Sequence, residues 1–149
     1  MKPQLSVIVC TYNRERYIKR NLESFLNQTA KPCDFEVVII NNNSPDNTDG
    51  ICTDFIQNHP EVNWVYKIET NQGHTYARNR GIKESSGKYL AFIDDDAFVR
   101  RDYCENIINF YEQNPSVDCI GGLIVPDYES GAEPKWMNTY LLTLVAAQD

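Results

Sequence analysis

No block of lysine or arginine interrupts this sequence; its 14 basic residues are scattered among 21 acidic ones, and the formal net charge is −7. Binding to a nucleic-acid polymer rests on neutralising phosphates, so no nucleic-acid partner is expected. Cysteine is sparse and dispersed. Cys10, Cys33, Cys52, Cys104 and Cys119 form no C-x-x-C pair and have no histidine pair nearby, which argues against zinc. Their odd number argues against a disulfide framework, leaving buried thiols in a reducing compartment as the expectation. No segment reaches the roughly 18 apolar residues of a membrane span. Met1-Lys2-Pro3-Gln4 leads straight into a strand-like run, so no leader peptide is expected. Internal repeats and low-complexity tracts are also missing.

What is present describes an ordinary folded domain. The 149 residues are 42% hydrophobic, 23% charged and 11% aromatic, enough for one core and too apolar for a disordered chain. Leu5–Cys10 is a continuous apolar run, as a central parallel strand covered on both faces requires. Tyr17, Ile18, Leu22, Phe25 and Leu26 recur at helical spacing and predict a helix over about residues 15–28. Phe35–Ile40 reads as a second buried strand. Asp46 or Asn47 can cap a helix running to about Asn58. Further strands are expected over Val62–Ile68, Tyr89–Ile93 and Val117–Leu123, with helices over Thr75–Lys83 and Asp102–Asn114 between them. Strand and helix alternate throughout, so the expected class is α/β with a mainly parallel sheet and flanking helices. Residues 1–125 are assigned to that core and 126–149 to a following region that starts irregularly and continues as the apolar segment Trp136–Ala147.

Lys88–Ala97 carries the strongest chemical signal. A strand entered through Gly87 ends in Asp94, Asp95 and Asp96. On an extended chain Asp94 and Asp96 project to one side and Asp95 to the other. Packed carboxylates repel one another unless a cation relieves them, and oxygen-only ligands favour Mg²⁺ or Mn²⁺. A solvated acidic turn is the plainer alternative. The neighbouring loops weigh against it, because in an open α/β sheet ligands bind outside the carboxyl ends of the strands. Thr11-Tyr12-Asn13-Arg14, Asn41–Asp46 and Asp94–Asp96 all follow strand ends and would line one crevice. Tyr12 offers an aromatic face to a base, and Asn42 can donate to and accept from a base edge. Arg78 can hold phosphate oxygens bidentately. Taken singly, Tyr12 and Arg78 also fit a plain surface and Asn41–Asn43 also fit a turn; together they suit a nucleoside diphosphate.

Four blocks then resemble the family 2 glycosyltransferases of the GT-A fold: Ser6–Arg14, Asn41–Asp46, Asn71-Gln72-Gly73 with Ala77–Gly81, and Tyr89–Asp96. They occur in the family's order over roughly residues 4–125. The resemblance implies a Rossmann-like donor-binding fold and transfer of a sugar from a nucleotide diphosphate, usually a uridine one, to an acceptor hydroxyl. It implies that Thr11, Tyr12 and Asn42 hold the base, with Asn13 and Arg14 in the same donor-binding loop. Asp94 and Asp95 would contact ribose or metal-bound water, and Asp96, with Asp94, would hold Mn²⁺ or Mg²⁺ beside the diphosphate. Many members carry Asp where Asn42 stands, which loosens the choice of base.

The implied acceptor is a glycan, glycolipid or glycoprotein, met in the cytoplasm at the inner face of a membrane with which the full-length enzyme associates peripherally. Family precedent favours inversion by a general base, expected beyond residue 149; Asp127, Glu129 and Glu133 belong to no motif that would make one of them the base. An exposed C-terminal segment, Tyr140–Ala147, is expected to dock on a neighbouring molecule or fray. Two other readings stay open: a nucleotide-sugar-binding module without turnover, and a sugar nucleotidyltransferase. The second normally opens with a Gly-rich, basic phosphate loop, which Thr11–Arg14 is not.

Overall fold

In the computed structural model, which describes residues 2–137, the first apolar run forms β1 (Leu5–Thr11) at the centre of a parallel sheet. The elements follow as α1 (Ile18–Glu23), β2 (Phe35–Asn41), α2 (Thr48–Asn58), β3 (Trp64–Ile68), α3 (His74–Glu84), β4 (Tyr89–Asp94) and α4 (Tyr103–Gln113). Strand order is β3-β2-β1-β4, with Val7 facing Val37 on one side and Ala91 on the other. β1 and β2 have neighbours on both edges and helices on both faces, which is why their sequences are apolar without alternation. Among the described residues β4 pairs only with β1, and it alternates in exposure, leaving Leu90 and Phe92 partly in solvent.

The main core lies on one face. Leu5, Val7, Val9, Phe35, Val37 and Ile39 meet Ile18, Leu22 and Phe25 of the α1 segment, Cys52 and Phe55 of α2, and Cys104 and Ile108 of α4. Each such side chain contributes about 1.5–3 kcal/mol on burial. On the other face Ile8, Val38 and Ile40 are covered by α3 through Ala77. Gly81 makes that approach possible, since a Cβ there would collide with Ile8 Cγ2. At the amino end of the sheet the buried Glu36 carboxylate accepts from Ser6 Oγ (2.6 Å) and from Ser86 N (2.6 Å) and Oγ (3.0 Å). Gly87 N donates to Ser6 Oγ at 2.8 Å. This network fixes the α3–β4 turn against the central strand.

Three expectations need correction. The helix over residues 15–28 is shorter, because its last turn tightens: Ser24, Phe25 and Leu26 donate to carbonyls three residues back, and Ser24 Oγ bonds the Asn21 carbonyl at 2.6 Å. The strand expected over Val117–Leu123 is not formed. The chain divides into compact units Met1–Asn114 and Pro115–Asp149, and among the described residues of the second there is no strand to complete a ladder. Gly121-Gly122 weakens the segment further, and Leu123 and Val125 are 74% and 73% exposed. Finally, only Cys52 and Cys104 are buried; Cys33 and Cys119 lie at the surface, all five thiols free. Tyr140–Ala147 falls outside the described residues. No helix among the described residues is long and apolar enough to cross a membrane.

Candidate functional site

Because the strands are parallel and in register, the loops after β1, β2 and β4 emerge at one end of the sheet, with Thr11 opposite Asn41 and Cys10 opposite Asp94. The first two loops are stitched together. Asn13 N donates to Ser44 Oγ, Arg14 N to Thr48 Oγ1 and Glu15 N to Asp46 Oδ2, each at 3.0 Å, while Asn47 N returns to Glu15 Oε2 at 3.1 Å. Asn13 (φ 58°) and Asn43 (φ 56°) take left-handed backbone, which asparagine tolerates better than most residues. The polar residues of both loops thus serve first to position backbone. Tyr12 remains half exposed at the rim.

The aspartates do not alternate as the extended-chain pattern predicts. The ladder stops at Asp94, and Asp95 and Asp96 lie in a turn closed by Ala97 N to Asp94 O (3.1 Å). Asn21 holds that turn from below, its amide donating to Asp94 O (3.1 Å) and Ala97 O (2.7 Å). Sequence reasoning missed Asn21, although a buried polar residue beside Ile18 and Leu22 on the inner face of a helix was a usable signal. In the turn, Arg14 bridges Asp95 and Asp96, with Nε 3.2 Å from Asp95 Oδ1 and Nη2 3.7 Å from Asp96 Oδ2. Asp94 turns away to Arg78, 3.9 Å distant, whose guanidinium also lies over the Phe92 ring. Three carboxylates therefore meet two guanidinium groups, and the mouth keeps a net negative charge.

Burial pushes the Asp95 carboxyl above its ordinary value; the Thr11 hydroxyl and Arg14 pull it down, and Asp96 adds to the rise. Thr11 Oγ1 nevertheless falls short of hydrogen-bond geometry and stands buried without a bonded partner. Beneath Asp94, burial raises the Cys10 thiol to about 11 against the pull of Arg78, with Asp95 and Asp94 adding to the rise, so at neutral pH it is no nucleophile.

Asn42 is engaged otherwise than a free base-reading amide. Its Nδ2 donates to Glu69 O (2.9 Å) and Asn71 O (2.7 Å), and its Oδ1 accepts from Gly73 N (2.8 Å). The side chain thereby ties the β3–α3 loop to the end of β2. Replacing Asn42 with Ala strands two carbonyls and one N–H, and is expected to cost about 2–3 kcal/mol in urea unfolding. An unchanged unfolding midpoint would remove the tie from the account.

Among the described residues no group of three or more His, Cys, Asp or Glu converges on a metal position. The all-oxygen donors still suit a hard divalent ion. Asp96, 53% exposed at its side chain, can give one carboxylate ligand, leaving the remainder to phosphate and water. Mg²⁺ is commonly held in that way in nucleotide sites.

A family model described as "Glycosyl transferase family 2" matches residues 6–144. The chain belongs to this family. Among similar proteins, the minor teichoic acid biosynthesis protein GgaB of Bacillus subtilis is 37% identical over 73% of this chain and 12% of its own length. The glucosyl-dolichyl phosphate glucuronosyltransferase of Haloferax volcanii is 35% identical over 84% of this chain and 39% of its own. The chain thus spans well under half of either relative. Among solved structures, S. aureus TarS (residues 1–349) aligns at a TM-score of 0.69 and 27% identity, over 85% of this chain and 39% of that one; it has also been solved with UDP and with UDP-GlcNAc. The mannosyltransferase PcManGT of Pyrobaculum calidifontis, solved with GDP-Man and Mn²⁺, aligns at 0.69 and 26% identity over 74% of this chain and 33% of its own. The fold is accordingly the GT-A nucleotide-diphospho-sugar-binding fold.

Proposed function

We propose that this chain supplies the donor-binding part of a metal-assisted glycosyltransferase using a nucleoside-diphosphate sugar, with uridine as the base. The observation that carries the reading is the convergence of the β1, β2 and β4 loops on one mouth, where Arg14 and Arg78 stand beside the aspartate turn. Tyr12 stacks on the base, the Thr11 hydroxyl donates toward it, and Arg78 binds phosphate oxygen. Asp94 and Asp95 face the ribose side, and Asp96 is the principal metal ligand, with Asp94 beside it. When bound, the divalent ion supplies charge neutralisation for the departing diphosphate. The residues of this chain orient the donor and keep the ion at one side of it.

Asn42 acts on the base through the loop it anchors. The acceptor is a glycan, glycolipid or glycoprotein hydroxyl. Its deprotonation calls for a general base outside the donor-binding residues named here. Titration calorimetry with UDP tests the donor reading. Binding is expected with Mn²⁺ or Mg²⁺ and at least tenfold weaker without, as a net negative mouth demands, tenfold being about 1.4 kcal/mol. Equal affinity in both conditions would overturn the metal bridge, and preference for GDP would overturn the base assignment.

A further inference from the structure

We propose that Arg14 gates cation entry to the aspartate turn: it occupies Asp96 until a diphosphate offers its guanidinium another partner. The inference rests on the donor-site reading above. The two arms of Arg14 are unequal. Its Nε meets Asp95 at 3.2 Å, and that carboxylate is only 11% exposed at its side chain, so a partner is needed to offset desolvation. Its Nη2 reaches Asp96 at 3.7 Å, where the carboxylate is 53% exposed and the pair is weak. The backbone of Arg14 is fixed by Thr48, and its carbonyl accepts from Tyr17 and Ile18, so only the side chain is free to redistribute. An ion arriving alone would have to displace the Asp96 arm, with Arg14 staying on Asp95. That leaves a guanidinium close to the ion, and the two cations repel. A diphosphate removes the conflict, because its oxygens accept from Arg14 and ligate the ion together. Arg14 thus makes cation and nucleotide binding mutually dependent, and keeps the free protein from filling with metal alone.

Linkage makes this measurable from either side, since the factor by which UDP tightens Mn²⁺ equals the factor by which Mn²⁺ tightens UDP. Free Mn²⁺ is titrated by its electron-paramagnetic-resonance signal, with and without UDP, on wild type, Arg14→Gln, Arg14→Lys and Arg16→Gln. Circular dichroism melts on the same samples check the fold. Arg14→Gln is expected to bind Mn²⁺ alone about three- to tenfold more tightly than wild type, and the UDP enhancement should shrink by a similar factor. Arg14→Lys keeps the charge without the fork and should fall between the two. Arg16→Gln makes the same change in net charge at an exposed site outside the turn and should match wild type. If UDP enhances Mn²⁺ binding in wild type but Arg14→Gln binds Mn²⁺ alone no more tightly, the gate is wrong and the donor-site reading stands. If UDP has no effect on Mn²⁺ binding in wild type, both fall.

Discussion

Replacing Gly87 with alanine is expected to destabilise the fold by about 3 kcal/mol, a large share of the 5–15 kcal/mol by which domains are usually stable. The new Cβ would stand 2.6 Å from Ser6 N, 2.7 Å from Ser6 Oγ and 2.8 Å from the Leu5 carbonyl carbon. Two of those atoms are backbone of the central strand, which is paired on both sides and cannot shift. The remaining escape is for the start of β4 to move away from β1. That movement breaks the Gly87 N–Ser6 Oγ bond and loosens the grip of Ser6 and Ser86 on the buried Glu36 carboxylate. Urea unfolding measures the loss. A midpoint shared with wild type would show that β1 yields and that the turn is less tightly packed than its distances indicate. Because the same strand carries the aspartates at its other end, donor binding should weaken with stability in this variant.

Asp96→Ala should do the opposite: leave stability alone and remove the metal effect. The side chain is half exposed, and among the described residues its ion-pair partner is one arm of Arg14 at 3.7 Å. Surface pairs of this kind contribute about 0–1 kcal/mol, so melting should scarcely change. In calorimetry, UDP affinity with Mn²⁺ present is expected to fall about 10–100-fold, to the level seen without metal. Asp94→Ala is expected to be milder, because it releases Arg78 toward phosphate while removing the secondary ligand. A metal effect that survives in Asp96→Ala and vanishes in Asp94→Ala would exchange the two roles.

The sheet was legible in the sequence because its central strands are long, apolar and β-branched: Leu5–Cys10 and Phe35–Ile40 were bounded to within one residue at their carboxyl ends. The same logic failed at Val117–Leu123, where a short apolar run that holds Gly121-Gly122 does not make a strand. In the site, residue types announced the loops but not their internal wiring. Asn42 offers the same donor and acceptor groups whether it meets a base or a backbone, and only the course of residues 69–73 decides which it meets. Pairing of Arg14 with Asp95 and Asp96 was likewise invisible, since the partners come from different elements and the alternation rule ended at Asp94, two residues before the aspartates did.

Strand order also sets when the site can come into being. β1, β2 and β3 can pair as soon as the first part of the chain is free to fold, but β4, the last strand among the described residues, must return to β1. Arg14 and Asp95, whose contact marks the finished mouth, are 81 positions apart. Closing so long a loop costs entropy before any contact repays it, and parallel pairing is slow for that reason. A folding intermediate built from the first three strands would present the open edge of β1, a row of unpaired backbone groups on the most apolar strand of the molecule. Donor capacity should therefore appear in one late step during refolding, with no partially folded species able to hold a nucleotide.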